Sequence, residues 1–425
     1  MAGRPARLSP AEAIRRFVRP GHRVLLGTGA GEARTLQAAL VEDRERLTGL
    51  RLCGGLQLSD YAFMGPVREG QWTYETWHPM PPIRDDVAAG RIGFHLVRGA
   101  MVPALIRALA PDVFLTAVSL PDGAGRVSFG ASVSYALPMA SVARVVLAEV
   151  NPAMPRVRGR TTVPLDTFDA VVEAERPLPT HRAAAPDGVS ARIAEHVLGL
   201  VPADATLQIG LGSVPEALVQ LLTQTPPRGL RLFGMGIDGM IPYLEAGGDR
   251  AFVGGELLGT ERLYRFAHEN PAIENYPLED ILNVPRLARI PRFVSLIGAV
   301  EVDLTGQVNS EGAGQRPVSG VGGSFDFVDA AWFSEGGCSI LALRATARGG
   351  TRSTIVPALE AGVPVTIPRH SVRHVVTEFG TADLLGLTVR ERARALAGIA
   401  HPDFREPLER AAAGGSTPVA LAGGG

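Results

Sequence analysis

The sequence contains no lysine: all 42 of its basic side chains are arginines, against 43 aspartates and glutamates. Any anion that the protein binds must therefore be held by guanidinium groups, backbone N–H groups or helix ends, and a Walker-type phosphate loop, which requires a lysine, is excluded. The formal net charge of −1 provides no excess of positive charge for a nucleic acid or an anionic membrane surface. We therefore expect neither as a partner.

Cysteine is equally scarce, with only Cys53 and Cys338 in 425 residues. Two cysteines are too few for a disulfide scaffold, and these two do not have the spacing of metal ligands. His370 and His374 are four residues apart but lack a third ligand. The sequence therefore predicts no metal. No apolar run approaches the roughly 20 residues of a membrane span, and the N-terminus has no apolar signal segment, so we expect a soluble, cytoplasmic protein.

Apolar strand-like segments alternate with helix-like segments along most of the chain. "RVLL" (23–26) is followed by "EARTLQAAL" (32–40), and "ATLQI" (205–209) is followed by "EALVQLL" (216–222). Strands separated by helices indicate an α/β fold with mostly parallel sheets. The continuous apolarity of the strands indicates that both faces of each sheet are covered.

The two halves of the chain repeat one order of elements. "RVLLGTGAGEARTLQAAL" (23–40) and "ATLQIGLGSVPEALVQLL" (205–222) share a strand, a Gly-x-Gly turn and a helix. A stretch rich in proline and alanine separates the halves and has no helical face. We therefore predict two homologous α/β domains with the active site in the cleft between them. The predicted boundaries are 1–178 for the first domain, 179–190 for the linker, 191–410 for the second domain and 411–425 for a flexible tail.

The turn "GLGSVPE" (210–216) is the first candidate ligand-binding loop. Gly210 and Gly212 let a ligand approach the backbone, and we expect Ser213 and Glu216 to form a capping box at the start of the next helix. Free N–H groups at the positive end of that helix would suit a phosphate. A tight strand-to-helix turn needs the same glycines, so packing alone is the alternative interpretation.

Two further glycine clusters stand out. In "RPVSGVGGSFDF" (316–327), backbone N–H groups without side-chain bulk could wrap an anion or a thioester carbonyl, and a loop that needs left-handed backbone angles is the alternative. "GTGAGEA" (27–33) has one glycine spacing of a dinucleotide-binding loop, but no glycine follows three residues after Gly29. We therefore do not expect NAD as a cofactor.

Taken together, three long stretches are similar to the acetyl-CoA hydrolase/transferase family, which includes 4-hydroxybutyrate and butyrate:acetate CoA-transferases. They are "VSFGASVSYALPMASVARVVLAEVNPAMPR" (127–156), "EVDLTGQVNSEGAGQRPVSGVGGSFDFVDAA" (301–331) and the segment 354–404. The resemblance covers residues 10 to 410 and implies a pair of CoA-transferase-type α/β domains. It also implies an acyl-CoA thioester as substrate and a small-molecule acceptor, and it is compatible with a homodimer.

The resemblance also implies site residues. Cys338, one of those implied for CoA, stands where relatives usually carry lysine. At the acyl group and its developing oxyanion we expect Gly29, Gly31 and Gln208, and Glu311 is a further polar neighbour. The residues implied for CoA binding are Gly210, Leu211, Gly212, Ser213, Val214, Pro215, Gly320, Val321, Gly322, Gly323 and Cys338.

In this family a glutamate attacks the acyl-CoA and forms first an acyl-glutamyl anhydride and then a glutamyl-CoA thioester. When "DG" (238–239) and "YLEAG" (243–247) are used as anchors, the position of that glutamate falls on Gly234, which has no side chain to attack with. Asp238 and Glu256 are the candidate substitutes. The structural alternatives are a helix cap for Asp238 and an ion-paired or surface acid for Glu256.

Three hypotheses follow from the missing glutamate. The first, which we favour, is direct attack on a bound acyl thioester by an amine, a hydroxyl, a carbanion or water, without a glutamyl-CoA intermediate. The second is ordinary CoA transfer through a relocated acid. The third is a CoA-ester-binding subunit without turnover. The intact loops "GLGSVP" and "SGVGG" favour retained thioester binding.

Overall fold

A computed structural model describes residues 5–413. Its strands, in chain order, are β1 Ala6–Arg7, β2 Arg23–Leu26, β3 Arg51–Gly54, β4 Thr73–Thr76, β5 Gly93–Phe94, β6 Val113–Val118, β7 Arg126–Ser128, β8 Val145–Val150, β9 Arg158–Gly159, β10 Thr162–Pro164, β11 Ala170–Glu173, β12 Thr206–Ile209, β13 Arg231–Gly236, β14 Phe252–Leu257, β15 Ile273–Asn275, β16 Phe293–Gly298, β17 Glu301–Asp303, β18 Val308–Asn309, β19 Gly312–Ala313, β20 Arg316–Pro317, β21 Cys338–Ala342, β22 Thr346–Ala347, β23 Arg352–Ser353, β24 Ile355–Val356, β25 His374–Thr377 and β26 Gly380–Asp383.

The α-helices are α1 Pro10–Phe17, α2 Arg34–Glu42, α3 Met64–Arg68, α4 Arg84–Ala88, α5 Val102–Leu109, α6 Ala136–Val142, α7 Gly188–Leu198, α8 Ser213–Gln224, α9 Met240–Glu245, α10 Glu261–Ala267, α11 Leu278–Ile281, α12 Val284–Leu287, α13 Ser324–Phe333, α14 Val389–Gly398 and α15 Pro402–Ala413. Short 3₁₀ helices span Gly29–Gly31, Pro81–Ile83, Gly99–Met101 and Leu165–Thr167. None of the helices described between residues 5 and 413 is long and apolar enough to cross a membrane.

The described residues divide into two compact units. Unit 1 comprises the described part of Met1–Ala183 together with Arg231–Arg286 and Pro317–Asp326. Unit 2 comprises Ala184–Leu230, Leu287–Arg316 and the described part of Phe327–Gly425. The predicted domain boundaries at residues 178, 190 and 410, and the interdomain position of the active site, stay predictions. Most of the predicted flexible tail, from residue 414 onward, lies outside the described residues.

Unit 1 contains an all-parallel sheet with the strand order β1-β11-β8-β6-β2-β3-β4-β5. Its central strand β6 is buried along its whole length, as expected for a parallel sheet covered on both faces. One face packs on a core that includes Ile14, Leu52, Trp72 and Tyr74. The carboxyl end of β2 leads into residues 27–31, which carry part of the candidate site.

A second run of parallel strands in unit 1 has the order β13-β14-β15-β9. Gly234 pairs with Gly254, but the next residue, Met235, pairs with Glu256, so that Gly255 forms a bulge in β14. Bulges change the direction of a side chain at the point where they occur. A Cβ atom at Gly255 would lie 2.9 Å from Cβ of Ser134, so only glycine fits at this bulge.

Unit 2 is built on the strands β26-β25-β21-β16-β12, which are parallel except for the antiparallel pair of β25 and β26. The predicted α/β class with mostly parallel sheets is therefore confirmed. The predicted capping box at residues 213–216 is wrong. Gly212 is the N-cap residue of α8, and Ser213 is already the first helical residue and makes no capping hydrogen bond.

Candidate active site

Glu256 at the end of β14 is surrounded by hydroxyl groups of unit 1. Its side chain is 5% exposed. The Ser132 hydroxyl lies 2.5 Å from Glu256 Oε2, the Thr28 hydroxyl lies 3.3 Å from Oε1, and the Ser134 hydroxyl also donates to Oε1. Neither of the alternatives for Glu256, a surface acid or an ion-paired one, agrees with this environment, since its neighbours within hydrogen-bonding distance are neutral hydroxyl groups. We call Glu256, Thr28, Ser132 and Ser134 the Glu256 cluster.

Backbone hydrogen bonds hold the two serines of the Glu256 cluster in place. The amide of Leu257 donates to Ala131 O over 2.8 Å, and the amide of Ser134 donates to Gly255 O over 3.2 Å. Ser132 and Glu256 form an antiparallel bridge between these bonds. Because alternate residues of an extended segment point to one side, Ser132 and Ser134 both reach the same carboxyl group. The sequence signal for this arrangement is the i, i+2 pair of serines in the otherwise apolar "GASVSYALP" (130–138).

Burial raises the pKa of Glu256 to about 7, and the hydrogen bonds from Ser132, Ser134 and Thr28 oppose that rise. The single proton of the Ser132 hydroxyl has two acceptors within reach. This hydroxyl lies 2.6 Å from the carbonyl oxygen of Thr28 and 2.5 Å from Glu256 Oε2. A hydroxyl has one proton to donate: when Ser132 donates to Glu256 it stabilises the ionised carboxylate, and when it donates to Thr28 the short contact with Glu256 requires a proton on the carboxyl group.

Gly29 borders the same carboxyl group. A Cβ atom there would lie 3.0 Å from Glu256 Oε2, and Gly29 has a φ of +54°. The amide of Gly29 donates to Leu56 O over 2.7 Å, and the amide of Gly31 donates to Thr28 O over 2.8 Å. The oxyanion role expected of these two glycines stays a prediction. Both amides have backbone partners in the structure, so that role would require an exchange of partners.

Asp238, the other candidate acid, has a structural role. Its two carboxylate oxygens accept hydrogen bonds of 2.7 Å from the amide and from the hydroxyl of Thr260. Thr260 is the N-cap residue of α10, so Asp238 fixes the start of that helix. It does not cap α9, the helix that immediately follows it, because Gly239 is the N-cap residue there. The two candidate acids thus have different surroundings, which sequence spacing could not show.

Gly234 has a φ of +106°, in the region that favours glycine. The backbone at this position therefore disfavours any L-amino acid. The position at which the family resemblance predicts a glutamate is thus adapted to the absence of a side chain. Glu256 pairs with Met235, the residue that follows Gly234, on the neighbouring strand.

The loop between β12 and α8 lies in unit 2. A Cβ atom at Gly210 would meet no atom of residues 5–413 within 4 Å, and Gly212 is exposed with a φ of +131°. Leu211, Ser213 and Val214 are half-buried, and Pro215 is buried. Packing therefore does not require glycine at position 210, and the open space beside it is available to a ligand. Gln208, on the strand before this loop, is buried, and its Oε1 atom has no hydrogen-bond partner among the residues that the structure describes.

The loop of Gly320, Val321, Gly322 and Gly323 lies in unit 1. A Cβ atom at Gly320 would lie 2.2 Å from the carbonyl oxygen of Trp77, and Gly322 O accepts a hydrogen bond of 2.6 Å from the amide of Gly99. Close packing thus accounts for at least one of these glycines. In unit 2, Cys338 is buried at the start of β21, and burial raises the pKa of its thiol to about 11. The CoA-binding roles of these residues stay predictions.

The fold and the Glu256 cluster define an α/β protein with mostly parallel sheets and a buried carboxyl group. A sequence model of the acetyl-CoA hydrolase/transferase N-terminal domain matches residues 5–180, and a model of the C-terminal domain of that family matches residues 259–412. The chain is 36% identical over 397 residues to 4-hydroxybutyrate coenzyme A transferase of Clostridium kluyveri, with 91% of this chain and 92% of the relative covered. The chain belongs to the acetyl-CoA hydrolase/transferase family and is an enzyme of the acyl-CoA transferase or hydrolase class.

Two solved structures are similar over nearly the whole chain. RipA from Yersinia pestis has a TM-score of 0.88 and 28% identity, and the match covers 96% of this chain and 97% of RipA. 4-Hydroxybutyrate CoA-transferase from Porphyromonas gingivalis has a TM-score of 0.81 and 30% identity, with coverage of 95% and 96%. The predicted family and enzyme class are therefore confirmed.

Proposed function

We propose that the protein transfers the acyl group of an acyl-CoA thioester directly to an acceptor, with Glu256 as the acid–base residue. The observation that carries this proposal is the enclosure of Glu256 by three hydroxyl groups, on the strand beside the position where the resemblance predicts a glutamate and the chain has Gly234. The acceptor is an amine, a hydroxyl compound, a carbon acid or water.

The proposed reaction proceeds without a covalent enzyme intermediate. The ionised carboxylate of Glu256 takes the proton of the acceptor while the acceptor attacks the thioester carbonyl carbon. The new bond forms, the C–S bond breaks, and the proton passes from Glu256 to the departing CoA sulfur. The products are the acylated acceptor and CoA with a free thiol, and Glu256 returns to its ionised form.

The pKa of Glu256 supports this role. A general base is most effective when its pKa lies near the operating pH, because it then combines sufficient basicity with a large ionised fraction. Burial raises the pKa of Glu256 to about 7, whereas a carboxyl group in water is a much weaker base. The three hydroxyl groups fix the orientation of the carboxyl group and accept or donate as its proton moves.

For the CoA part of the substrate, we propose the loop of Gly210, Leu211, Gly212, Ser213, Val214 and Pro215 together with the loop of Gly320, Val321, Gly322 and Gly323. The open space at Gly210 and the N-terminus of the 12-residue helix α8 support the first loop as a seat for phosphate. With no lysine in the chain, backbone amides and arginines are the groups that remain for holding the CoA phosphates. Cys338 is a further proposed CoA contact.

The second candidate function is CoA transfer between carboxylic acids, with Glu256 itself as the nucleophile. Two observations favour this function. Glu256 pairs with Met235, the residue that follows Gly234, and the relatives are named as CoA-transferases. In this mechanism Glu256 would form an acyl-glutamyl anhydride and then a glutamyl-CoA thioester. Both oxygens of Glu256 are already engaged by hydroxyl groups, which is why we place this mechanism second.

Trapping distinguishes the two functions. The full-length protein would be incubated with acetyl-CoA or butyryl-CoA, with and without acetate, then treated with borohydride or hydroxylamine, and peptides containing Glu256 would be examined by mass spectrometry. We expect thioester consumption in buffer alone if water is the acceptor, and otherwise only when an amine, a hydroxyl compound or a carbon acid is added. In either case Glu256 should remain unmodified. A reduced or hydroxamate-modified Glu256, together with acetate-dependent CoA exchange, would instead establish CoA transfer. Binding of the thioester without turnover under any condition would contradict both functions and leave the binding-subunit hypothesis.

A further inference from the structure

Three potential metal ligands meet at one edge of the eight-stranded sheet of unit 1. Cys53 lies near the end of β3, Glu75 near the end of β4, and His95 directly follows β5. The ligand atoms of these three residues all lie within 4.8 Å of one another, and His95 Nε2 is 3.2 Å from Glu75 Oε2. Because parallel strands all end at the same edge, the sheet brings together residues that are 20 or more positions apart in the sequence.

The strand register builds this group. Cys53 pairs with Glu75, and Glu75 pairs with Gly93, so the side chains of Cys53 and Glu75 share one face of the sheet. A Cβ atom at Gly93 would lie 3.1 Å from Cγ of Glu75, so glycine at position 93 leaves room for the Glu75 side chain. Rigid neighbouring strands are a suitable support for a site whose ligand atoms must keep a fixed geometry.

Burial divides the group into a closed and an open side. Cys53 is 0% exposed, whereas the side chains of Glu75 and His95 are each 29% exposed. A cation could therefore enter from the side of Glu75 and His95 and reach the sulfur behind them. The same opening leaves a coordination position for water.

We propose that Cys53, Glu75 and His95 bind a zinc ion, with water as the fourth ligand. A thiolate, an imidazole nitrogen and a carboxylate oxygen form a donor set typical of Zn²⁺, and three protein ligands with one open position are typical of zinc sites that are not purely structural. Mg²⁺ and Ca²⁺ prefer oxygen ligands and are not expected to compete. This inference is independent of the function proposed for Glu256.

The competing interpretation is a hydrogen-bonded pair of Glu75 and His95 beside a buried thiol. Burial and the negative charge of Glu75 both raise the pKa of the Cys53 thiol. In this interpretation the sulfur binds no cation. The surroundings of Cys53 favour the protonated thiol, whereas a bound dication favours the thiolate, because binding replaces the thiol proton with a metal–sulfur bond. The two interpretations differ in whether the protein binds a metal with sulfur as a ligand.

Cobalt provides the direct test, since Co²⁺ occupies zinc sites and a cobalt–thiolate bond gives a near-ultraviolet charge-transfer band. The full-length protein, freed of metal and kept reduced, would be titrated with Co²⁺ and then with Zn²⁺ in excess Mg²⁺. We expect one equivalent of Co²⁺ to give the thiolate band and Zn²⁺ to abolish it. Cys53→Ser should lose the band, whereas the matched control Cys338→Ser should keep it.

Cys53 is buried, so the loss of the band in Cys53→Ser could also result from a disturbed fold. A second variant therefore changes His95, which is partly exposed. His95→Asn should weaken Zn²⁺ binding by more than about tenfold, the low end of what even outer-shell partners contribute, while circular dichroism and the unfolding midpoint stay unchanged. A titration of the wild-type protein without a cobalt–thiolate band would overturn the proposal. So would a band that persists in Cys53→Ser, or a Zn²⁺ affinity that is the same in His95→Asn and the wild type.

Discussion

The hydroxyl of Ser132 lies 2.5 Å from the carboxyl group of Glu256, although 124 residues separate them in the sequence. This contact places an ionisable group, buried within unit 1, at the point where β14 bulges. It also explains how an acid can remain in an otherwise apolar strand: neutral hydroxyl groups, rather than a counter-ion, satisfy its oxygens. The activity of the protein should therefore depend on a carboxyl group that titrates near neutral pH.

Replacing Glu256 with glutamine should lower the rate of acyl-CoA consumption by about 10²- to 10⁴-fold, the usual contribution of a general base. The side chain keeps its size and can still hydrogen bond to Ser132 and Ser134, so binding of the CoA ester should change little. The measurement is steady-state consumption of thioester, together with calorimetric binding of the CoA ester.

The matched control is Asp238→Asn, which changes the other candidate acid in the same way. Because Asp238 holds Thr260 at the start of α10, this substitution should lower the free energy of unfolding by roughly 1 to 2 kcal/mol, the net contribution of two such hydrogen bonds. It should leave most of the activity. An inactive but folded Asp238→Asn protein beside an active Glu256→Gln protein would reverse our assignment.

The rate should rise with pH and level off above about 7, because only the ionised form of Glu256 accepts a proton. The hydrogen bond from Ser132 is the largest of the hydroxyl contributions that lower the pKa of Glu256, followed by those from Ser134 and Thr28. Ser132→Ala should therefore move the midpoint of the pH–rate profile upward, and by more than Thr28→Val.

The control for this series is Ser141→Ala, whose hydroxyl bonds to the carbonyl oxygen of Pro138. Its midpoint should coincide with that of the wild-type protein. A downward shift in Ser132→Ala, or an equal shift in the control, would mean that the profile reports a group other than Glu256.

The free energy of unfolding should also depend on pH through Glu256, and the direction of this dependence follows from its pKa. The pKa of Glu256 is about 7 in the folded protein, above its usual 4.5, so the folded state binds more protons than the unfolded state between these values. Its contribution to the free energy of unfolding is thus greatest at low pH and declines from about pH 4.5 to 7. The full decline for one such group is on the order of 3 kcal/mol.

Glu256→Gln removes this decline, so its stability relative to the wild type should increase across the same pH range. The difference between the two denaturation curves isolates Glu256 from Glu32 and Glu149, whose pKa values burial also raises to about 7. Glu195→Gln on the exposed face of α7 should show no such trend. A constant stability difference between wild type and Glu256→Gln from pH 4.5 to 8 would contradict the pKa assigned here.

Restoring an acid at position 234 should not restore the covalent mechanism of the family. With a φ of +106° at Gly234, a glutamate side chain requires a strained backbone, at a cost of about 1 to 3 kcal/mol. Gly234→Glu should therefore be less stable than the wild type in chemical denaturation.

The double variant Gly234→Glu/Glu256→Gln should have no CoA-transfer activity. Gly234→Ala serves as the control, since it adds the strain without the carboxylate. Recovery of CoA transfer in the double variant, with a trapped thioester at residue 234, would show that the backbone adapts and that the old position is still functional.

How much the sequence predicts differs between the fold and the site. The alternation of apolar strands and helices was sufficient for a parallel α/β fold, because buried parallel strands must be apolar on both faces. The capping box at Ser213 failed because glycine at position 212, with a φ of +131°, takes the cap position, so that the helix starts one residue earlier, at Ser213. A local pattern cannot specify which of two adjacent residues adopts the non-helical angles.

The sequence by itself determined the family, the fold class and the absence of lysine from any anion site, and it reduced the candidate substitute acids to Asp238 and Glu256. Only the tertiary structure decided the surroundings of each acid. It tied Asp238 to Thr260, and through the bulge at Gly255 it turned Glu256 toward hydroxyl groups from distant segments. The same holds for Cys53, Glu75 and His95, which come from three strands. Proximity across strands depends on register and bulges, and these are set by long-range backbone pairing rather than by the spacing of residues along the chain.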